Sequence, residues 1–131
     1  MPSADQDIRA LLTTYFKHLV TSSAADIVPL YAPDGVTMAQ GFPSQVGHAA
    51  IKAWYTGCFT QIALDVELTI EEIEVVSEEY AFARTSSKGT QRVLATGGTS
   101  AEANQELFVL KKVGGAWKIA RYCFCTIKGP Q

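Results

Sequence analysis

The sequence predicts an α+β fold, in which three helices precede a meandering antiparallel sheet rather than alternating with strands. Two observations carry this. Apolar residues recur at three- and four-residue spacing up to about residue 60, and at two-residue spacing beyond it. Gly114-Gly115 then separates two alternating runs, as a hairpin turn requires.

The first helix rests on Ile8, Leu11, Leu12, Tyr15, Phe16, Leu19 and Val20, which form one apolar stripe. Ser3 with Gln6 fits a capping box just before it. Ser23 with Asp26 offers a second start, for a short helix through Ile27, Leu30 and Tyr31 that Pro33-Asp34-Gly35 stops by turn chemistry. A short strand over Val36–Ala39 leads into a loop with Gly41, Pro43 and Gly47. The third helix is expected over His48–Thr60, with Ile51, Trp54, Tyr55, Cys58 and Phe59 near one face.

Val66, Leu68 and Ile70 then alternate, and Ile73 and Val75 continue one residue out of phase. That slip predicts a β-bulge near Glu71–Glu72. Further strands are expected over Tyr80–Ser87, extending toward Ala95 past a break, over Ala103–Lys112, and over Trp117–Ile127. Thr96–Ser100 is glycine-rich and reads as a loop. With no repeat or linker, residues 1–131 read as a single domain.

Hydrophobic residues make up 47% and charged residues 18%, a globular balance. A net charge of −2 gives no electrostatic reason to expect nucleic acid or an anionic membrane as partner. No apolar run approaches the roughly 20 residues of a membrane span. The opening MPSADQDIRA is acidic where a signal peptide would be basic and then apolar, so a cytoplasmic location is expected. Cys58, Cys123 and Cys125 are odd in number and lack C-x-x-C spacing, which favours packing over disulfides. His18 and His48 read as surface residues, far apart and without convergent Asp, Glu or Cys spacing. No metal site is expected. Gly97-Gly98 lacks the lysine and following helix of a phosphate loop, and no cofactor is expected.

The informative anomaly is charge on apolar strand faces. By strict alternation Arg84 shares a face with Tyr80 and Phe82, and Glu106 and Asn104 share one with Phe108 and Leu110. Arg121 in turn shares one with Trp117, Ile119, Cys123 and Cys125. Burying an unpaired charge is costly, so these groups should pair, reach water, or line a cavity, and lining a pocket meets the last two conditions together. A pocket with a few convergent polar groups is the usual form of a small-molecule site.

The amphipathic first helix, LYAPDGVTM, a G-x-x-A-I helix start, and ANQELFVLKK followed by GGAWKIARYCF resemble the nuclear transport factor 2-like superfamily, and within it the SnoaL-like group. The resemblance spans Ile8 to Thr126 and implies a cone-shaped, cystatin-like roll: a curved antiparallel sheet wrapped around the helices, with a pocket at the open end. It also implies a homodimer through the outer sheet face, where Leu107 and Val109 would lie. Against ketosteroid isomerase, the resemblance places Tyr15 at the oxyanion-binding tyrosine, Glu106 at the protonated acid, and Trp54 and Tyr55 among the aromatic pocket residues. The base carboxylate of that enzyme would fall at Met38 or Ala39, where no acid stands. Steroid isomerisation by that mechanism is therefore disfavoured.

The expected function is a cofactor-independent isomerase, cyclase or lyase acting on a small oxygenated molecule. Tyr15, Glu106, Arg84 and Arg121 would act as catalytic groups, and Trp54, Tyr55, Met38, Asn104, Phe108, Cys123 and Cys125 would contact the ligand. Two arginines against one glutamate would suit an oxygenated or carboxylate-bearing ligand better than a bare steroid. The alternative is a non-catalytic ligand-binding or association module, as in the association domain of calcium/calmodulin-dependent protein kinase II, which the resemblance also covers.

Overall fold

Ser3 opens the first helix, α1 (Ala4–Val20), with a full capping box. Its side chain accepts from the Gln6 N–H, and the Gln6 side chain accepts from the Ser3 N–H. The computed structural model describes residues 3–127. After α1 come α2 (Ala24–Ile27) and a single 3₁₀ turn (Val28–Leu30). The next elements are β1 (Tyr31–Met38), β2 (Gln45–Val46) and α3 (His48–Gln61). Four long strands follow: β3 (Ile62–Val75), β4 (Tyr80–Val93), β5 (Thr99–Val113) and β6 (Ala116–Thr126).

The strands form one sheet in the order β2-β1-β6-β5-β4-β3. All neighbours run antiparallel except β1 and β6, which pair in parallel, so the sheet is mixed rather than the pure meander the sequence suggests. Tyr31 belongs to β1, not to the preceding helix. Pro33-Asp34-Gly35 becomes an irregularity within that strand, where the register against β6 shifts between Tyr31 and Val36. Pro33 has no N–H to give the ladder. A Cβ on Gly35 would lie 2.9 Å from the Ala32 carbonyl oxygen and 3.2 Å from that of Ile119. The bulge foreseen near Glu71 is present, as the register against β4 slips between Ile70 and Glu72. β4 runs unbroken to Val93, and β5 begins at Thr99, inside the stretch that reads as a loop.

The concave face of the sheet packs on the apolar stripe of α1. Ile8, Leu11, Leu12, Tyr15 and Phe16 meet Ala81, Ala83, Phe108, Leu110, Trp117, Ile119 and Tyr122 in one core. Over its first half β4 presents only small side chains inward, namely Ala81, Ala83, Thr85 and Ser87, and turns Tyr80 outward, where it is exposed. Leu107 is exposed on the same outer face.

Gly89 fixes how closely β3 and β4 approach. A Cβ at this position would sit 2.0 Å from the Asp65 carbonyl oxygen, a backbone atom that cannot swing away. Gly89→Ala should therefore destabilise the protein by about 1–3 kcal/mol, as overpacked sites do. The effect would be read from the urea midpoint, and an unchanged midpoint would show that the strands do not need this approach.

Candidate functional site

Between the C-terminal half of α1, α3 and the sheet lies a cavity of about 250 Å³. Tyr15 and Leu19 of α1 and Trp54, Tyr55, Cys58 and Phe59 of α3 form one side. Ile62, Leu64 and Val66 of β3 continue the wall, and Tyr122 and Phe124 of β6 face them. Polar groups come from Ser87, Gln91, Glu102, Asn104, Glu106, Thr126 and Gln40. Among the described residues no lysine, arginine or histidine lines it.

Glu106 is the most unusual of these groups, being only 3% exposed. It stands opposite Thr85 in the β4–β5 register. Thr85 Oγ1 donates to its Oε1 at 2.6 Å, and Ser87 Oγ donates to its Oε2 at 2.7 Å. Burial pushes its pKa up, and the two hydroxyl bonds pull it part of the way back. No cation lies within ion-pair distance among the described residues. The charge of this carboxylate is supported by neutral hydroxyls alone.

A second polar unit is a chain of three phenols. The Tyr55 hydroxyl lies 2.6 Å from that of Tyr15 and 2.8 Å from that of Tyr31, joining α3, α1 and β1. Two hydrogen bonds consume two of the three O–H protons, so one donor remains for Tyr122, Thr37 or a ligand to accept. Two of its three possible carriers, Tyr15 and Tyr55, line the cavity. Burial raises all three phenols, and Tyr122 as well, well above the usual tyrosine range, so they stay neutral donors at ordinary pH. Thr37 Oγ1, beside Tyr31 and Tyr55, is buried without a hydrogen-bond partner of good geometry.

Of the residues singled out from the sequence, Tyr15, Trp54, Tyr55, Asn104 and Glu106 lie together at this cavity. The two arginines do not. Arg84 is on the outer face, paired with Glu72 across β3 and β4 at 3.0 Å. The reading from the sequence put the aromatic face of β4 inward, but the space against α1 admits only the alanine, threonine and serine face. Arg121 is also exposed, and its Nη1 donates to the carbonyls of Asp34 and Ala120. A bulge at Ala120, opposite Val109 and Leu110, breaks the alternation in β6. Trp117 and Ile119 therefore face inward, as do Tyr122 and Phe124, while Arg121, Cys123 and Cys125 face out.

Phe108 is buried beneath the cavity, stacked on Tyr122 at 4.5 Å, and does not line it. Met38 points away from the site and is exposed, because Ala39 takes the buried position beside it. Gln40, one residue further on, reaches the cavity and ties the loop to the Thr126 N–H. His48 is half-buried rather than exposed, with Nε2 2.9 Å from the Tyr31 carbonyl oxygen. His18 is likewise half-buried, 4.0 Å from Asp26. The alternation rule missed Thr85, Ser87, Tyr122 and Phe124 through these two phase errors. For Thr85 and Ser87 the signal in the sequence was the run of small residues at 81, 83, 85 and 87.

The family model for the SnoaL-like domain matches residues 12–122. The chain belongs to that family. No curated protein matches its sequence. Among solved structures, this SnoaL-like chain is similar to a ketosteroid isomerase-like protein from Erwinia carotovora atroseptica. That pair has 32% identity and a TM-score of 0.90, over 94% of this chain and 95% of that one. A protein provisionally assigned as a scytalone dehydratase, from Novosphingobium aromaticivorans, shares its fold at 21% identity and a TM-score of 0.81, over 93% and 83% of the two chains. An NTF2-like protein with a cystatin-like fold from the same genus and species does so at 19% identity and 0.75, over 96% and 83%. The cone of curved sheet around helices is thus the architecture of this SnoaL-like chain.

Because the folded-state pKa of Glu106 lies above its ordinary value, its contribution to stability is fully present at low pH. It is lost as pH rises from about 4.5 through the raised value. Glu106→Gln does not titrate. Its melting temperature relative to the unmodified protein should therefore rise across that window and then level off, as calorimetric scans at a series of pH values would show. A pH-independent difference would mean that Glu106 is not perturbed.

Proposed function

We propose that the cavity is the active site of a cofactor-independent isomerase, cyclase or lyase acting on a small oxygenated molecule. The observation that carries this is the convergence of a buried carboxylate without a cation and an O–H of a buried phenol chain on one cavity. In this reading Glu106 takes a proton from carbon next to a carbonyl group and later returns it, while Tyr15 or Tyr55 donates to the developing oxyanion. Thr85 and Ser87 hold the carboxylate in place, and Tyr31 fixes the Tyr55 hydroxyl from behind.

The raised Glu106 pKa suits this task. A base whose pKa is moved up toward the working pH combines availability with a stronger pull on the proton. The ketosteroid isomerase-like character of one relative supports the reaction class. The departure from that chemistry is at the end of β1, where Met38, Ala39 and Gln40 offer no carboxylate. The proton must then move through Glu106 itself. The arginine-lined pocket expected from the sequence, and with it a carboxylate-bearing ligand, is replaced by a site without cations among the described residues.

The test is α-proton exchange of 2-tetralone, a two-ring ketone, in D₂O followed by NMR. The unmodified protein should accelerate exchange, with the rate rising with pH through a single ionisation above 4.5. Glu106→Gln should lower the rate by about 10²-fold or more, and Tyr15→Phe by about 10²-fold. Exchange by Glu106→Gln at the unmodified rate would remove the carboxylate from the mechanism.

A further inference from the structure

The proposed chemistry leaves the substrate class open, and the cavity narrows it on two independent grounds. The first is volume. A cavity of about 150 Å³ holds one benzene ring. By proportion, 250 Å³ holds roughly ten non-hydrogen atoms. That is one ring with substituents, or two fused rings. A four-ring steroid nucleus needs well over that space, so the cavity cannot enclose the kind of substrate after which the ketosteroid isomerase-like relative is named, and part of it would project from the mouth.

The second ground is charge. The cavity carries carboxylates at two levels of β5, Glu106 in its depth and Glu102 at the half-exposed rim, and no cation lines it among the described residues. A carboxylate or phosphate on the ligand would lose its water and find two like charges with no counter-ion. The polar groups that do line the cavity suit an uncharged ligand. A phenol O–H can donate to one oxygen, and Glu106 can accept from a ligand hydroxyl. Much of the remaining wall is ring faces and edges from Trp54, Tyr55, Phe59, Tyr122 and Phe124, with aliphatic side chains of β3 beside them, which favours flat apolar skeletons.

We infer that the site takes uncharged one-ring or fused two-ring compounds bearing a carbonyl or hydroxyl oxygen, and rejects anionic analogues and larger ring systems. The inference rests on the cavity being the functional site, as proposed above, but not on its being catalytic. The test is a binding panel measured by calorimetry at neutral pH with the full chain, using 2-naphthol, 2-naphthoate and 1-hydroxypyrene. 2-Naphthol should bind. 2-Naphthoate should bind at least about tenfold more weakly, since an unpaired buried charge costs more than the 1.4 kcal/mol of one decade. 1-Hydroxypyrene, a four-ring phenol, should also bind more weakly, despite its greater apolar surface.

Trp54→Ala should weaken 2-naphthol binding, which places the probe in this cavity, while Trp117→Phe, remote from it, should not. Equal or tighter binding of either 2-naphthoate or 1-hydroxypyrene, or no binding of 2-naphthol, would overturn the inference. The outcome is separable from the catalytic reading. A selective panel alongside full exchange activity in Glu106→Gln would keep the ligand class and discard the chemistry. An unselective panel alongside lost exchange would do the reverse.

Discussion

The space that α1 takes against the concave sheet governs much of this structure. Ile8, Leu12 and Tyr15 leave β4 room for only small inward side chains, and Ala81, Ala83, Thr85 and Ser87 supply them. Packing of the helix on the sheet is thus also what lines Thr85 and Ser87 up beneath Glu106 across the β4–β5 register. Arg84, in the opposite phase, is sent to the outer face by the same constraint. A substitution enlarging Ala83 would press on the helix and on the site together, because the two share one row of residues.

Around the cavity, polar groups join the apolar wall. Two different devices keep these buried groups stable. The phenol chain satisfies itself, each hydroxyl finding a neighbour on another element at 2.6–2.8 Å. Glu106 is held by two hydroxyl donors, which support either protonation state because a hydroxyl both donates and accepts. An arginine in the same place would have fixed the carboxylate as an anion and made it a weaker base. The exclusion of Arg84 and Arg121 from the cavity therefore has a chemical consequence as well as a steric cause.

The sequence disclosed the helices, the bulge at Glu71 and the order of the long strands, because each rests on a local pattern of caps, period and turn residues. It also brought Tyr15, Trp54, Tyr55, Asn104 and Glu106 to one place, though only the resemblance joined helix to sheet. Facing in β4 and in the second half of β6 was not legible. Apolar residues occupy both faces of β4, so hydrophobicity could not choose between Phe82 and Ala83; the bulk of α1 made that choice. In β6 the extra residue at Ala120 leaves apolar residues on both sides of the slip, and a strict alternation rule passes over it. The parallel pairing of β1 with β6 is a long-range contact that no local pattern encodes.

The placement of the acids limits what kind of proton transfer the site can perform. Glu102 and Glu106 lie four residues apart on one strand, about 13 Å at the usual rise per residue. A ligand of roughly ten non-hydrogen atoms in a 250 Å³ cavity cannot offer the same reacting carbons to both. Nothing at the end of β1 supplies a second carboxylate from another direction, since Gln40 stands at the cavity there. Within the proposed chemistry, one carboxylate must then remove the proton and deliver it again. That restricts carbon-to-carbon proton transfer to one face of the substrate, as in a suprafacial shift. Inversion at a carbon centre needs a second proton-transfer base on the opposite face, and among the described residues the cavity offers there only phenols that burial holds neutral.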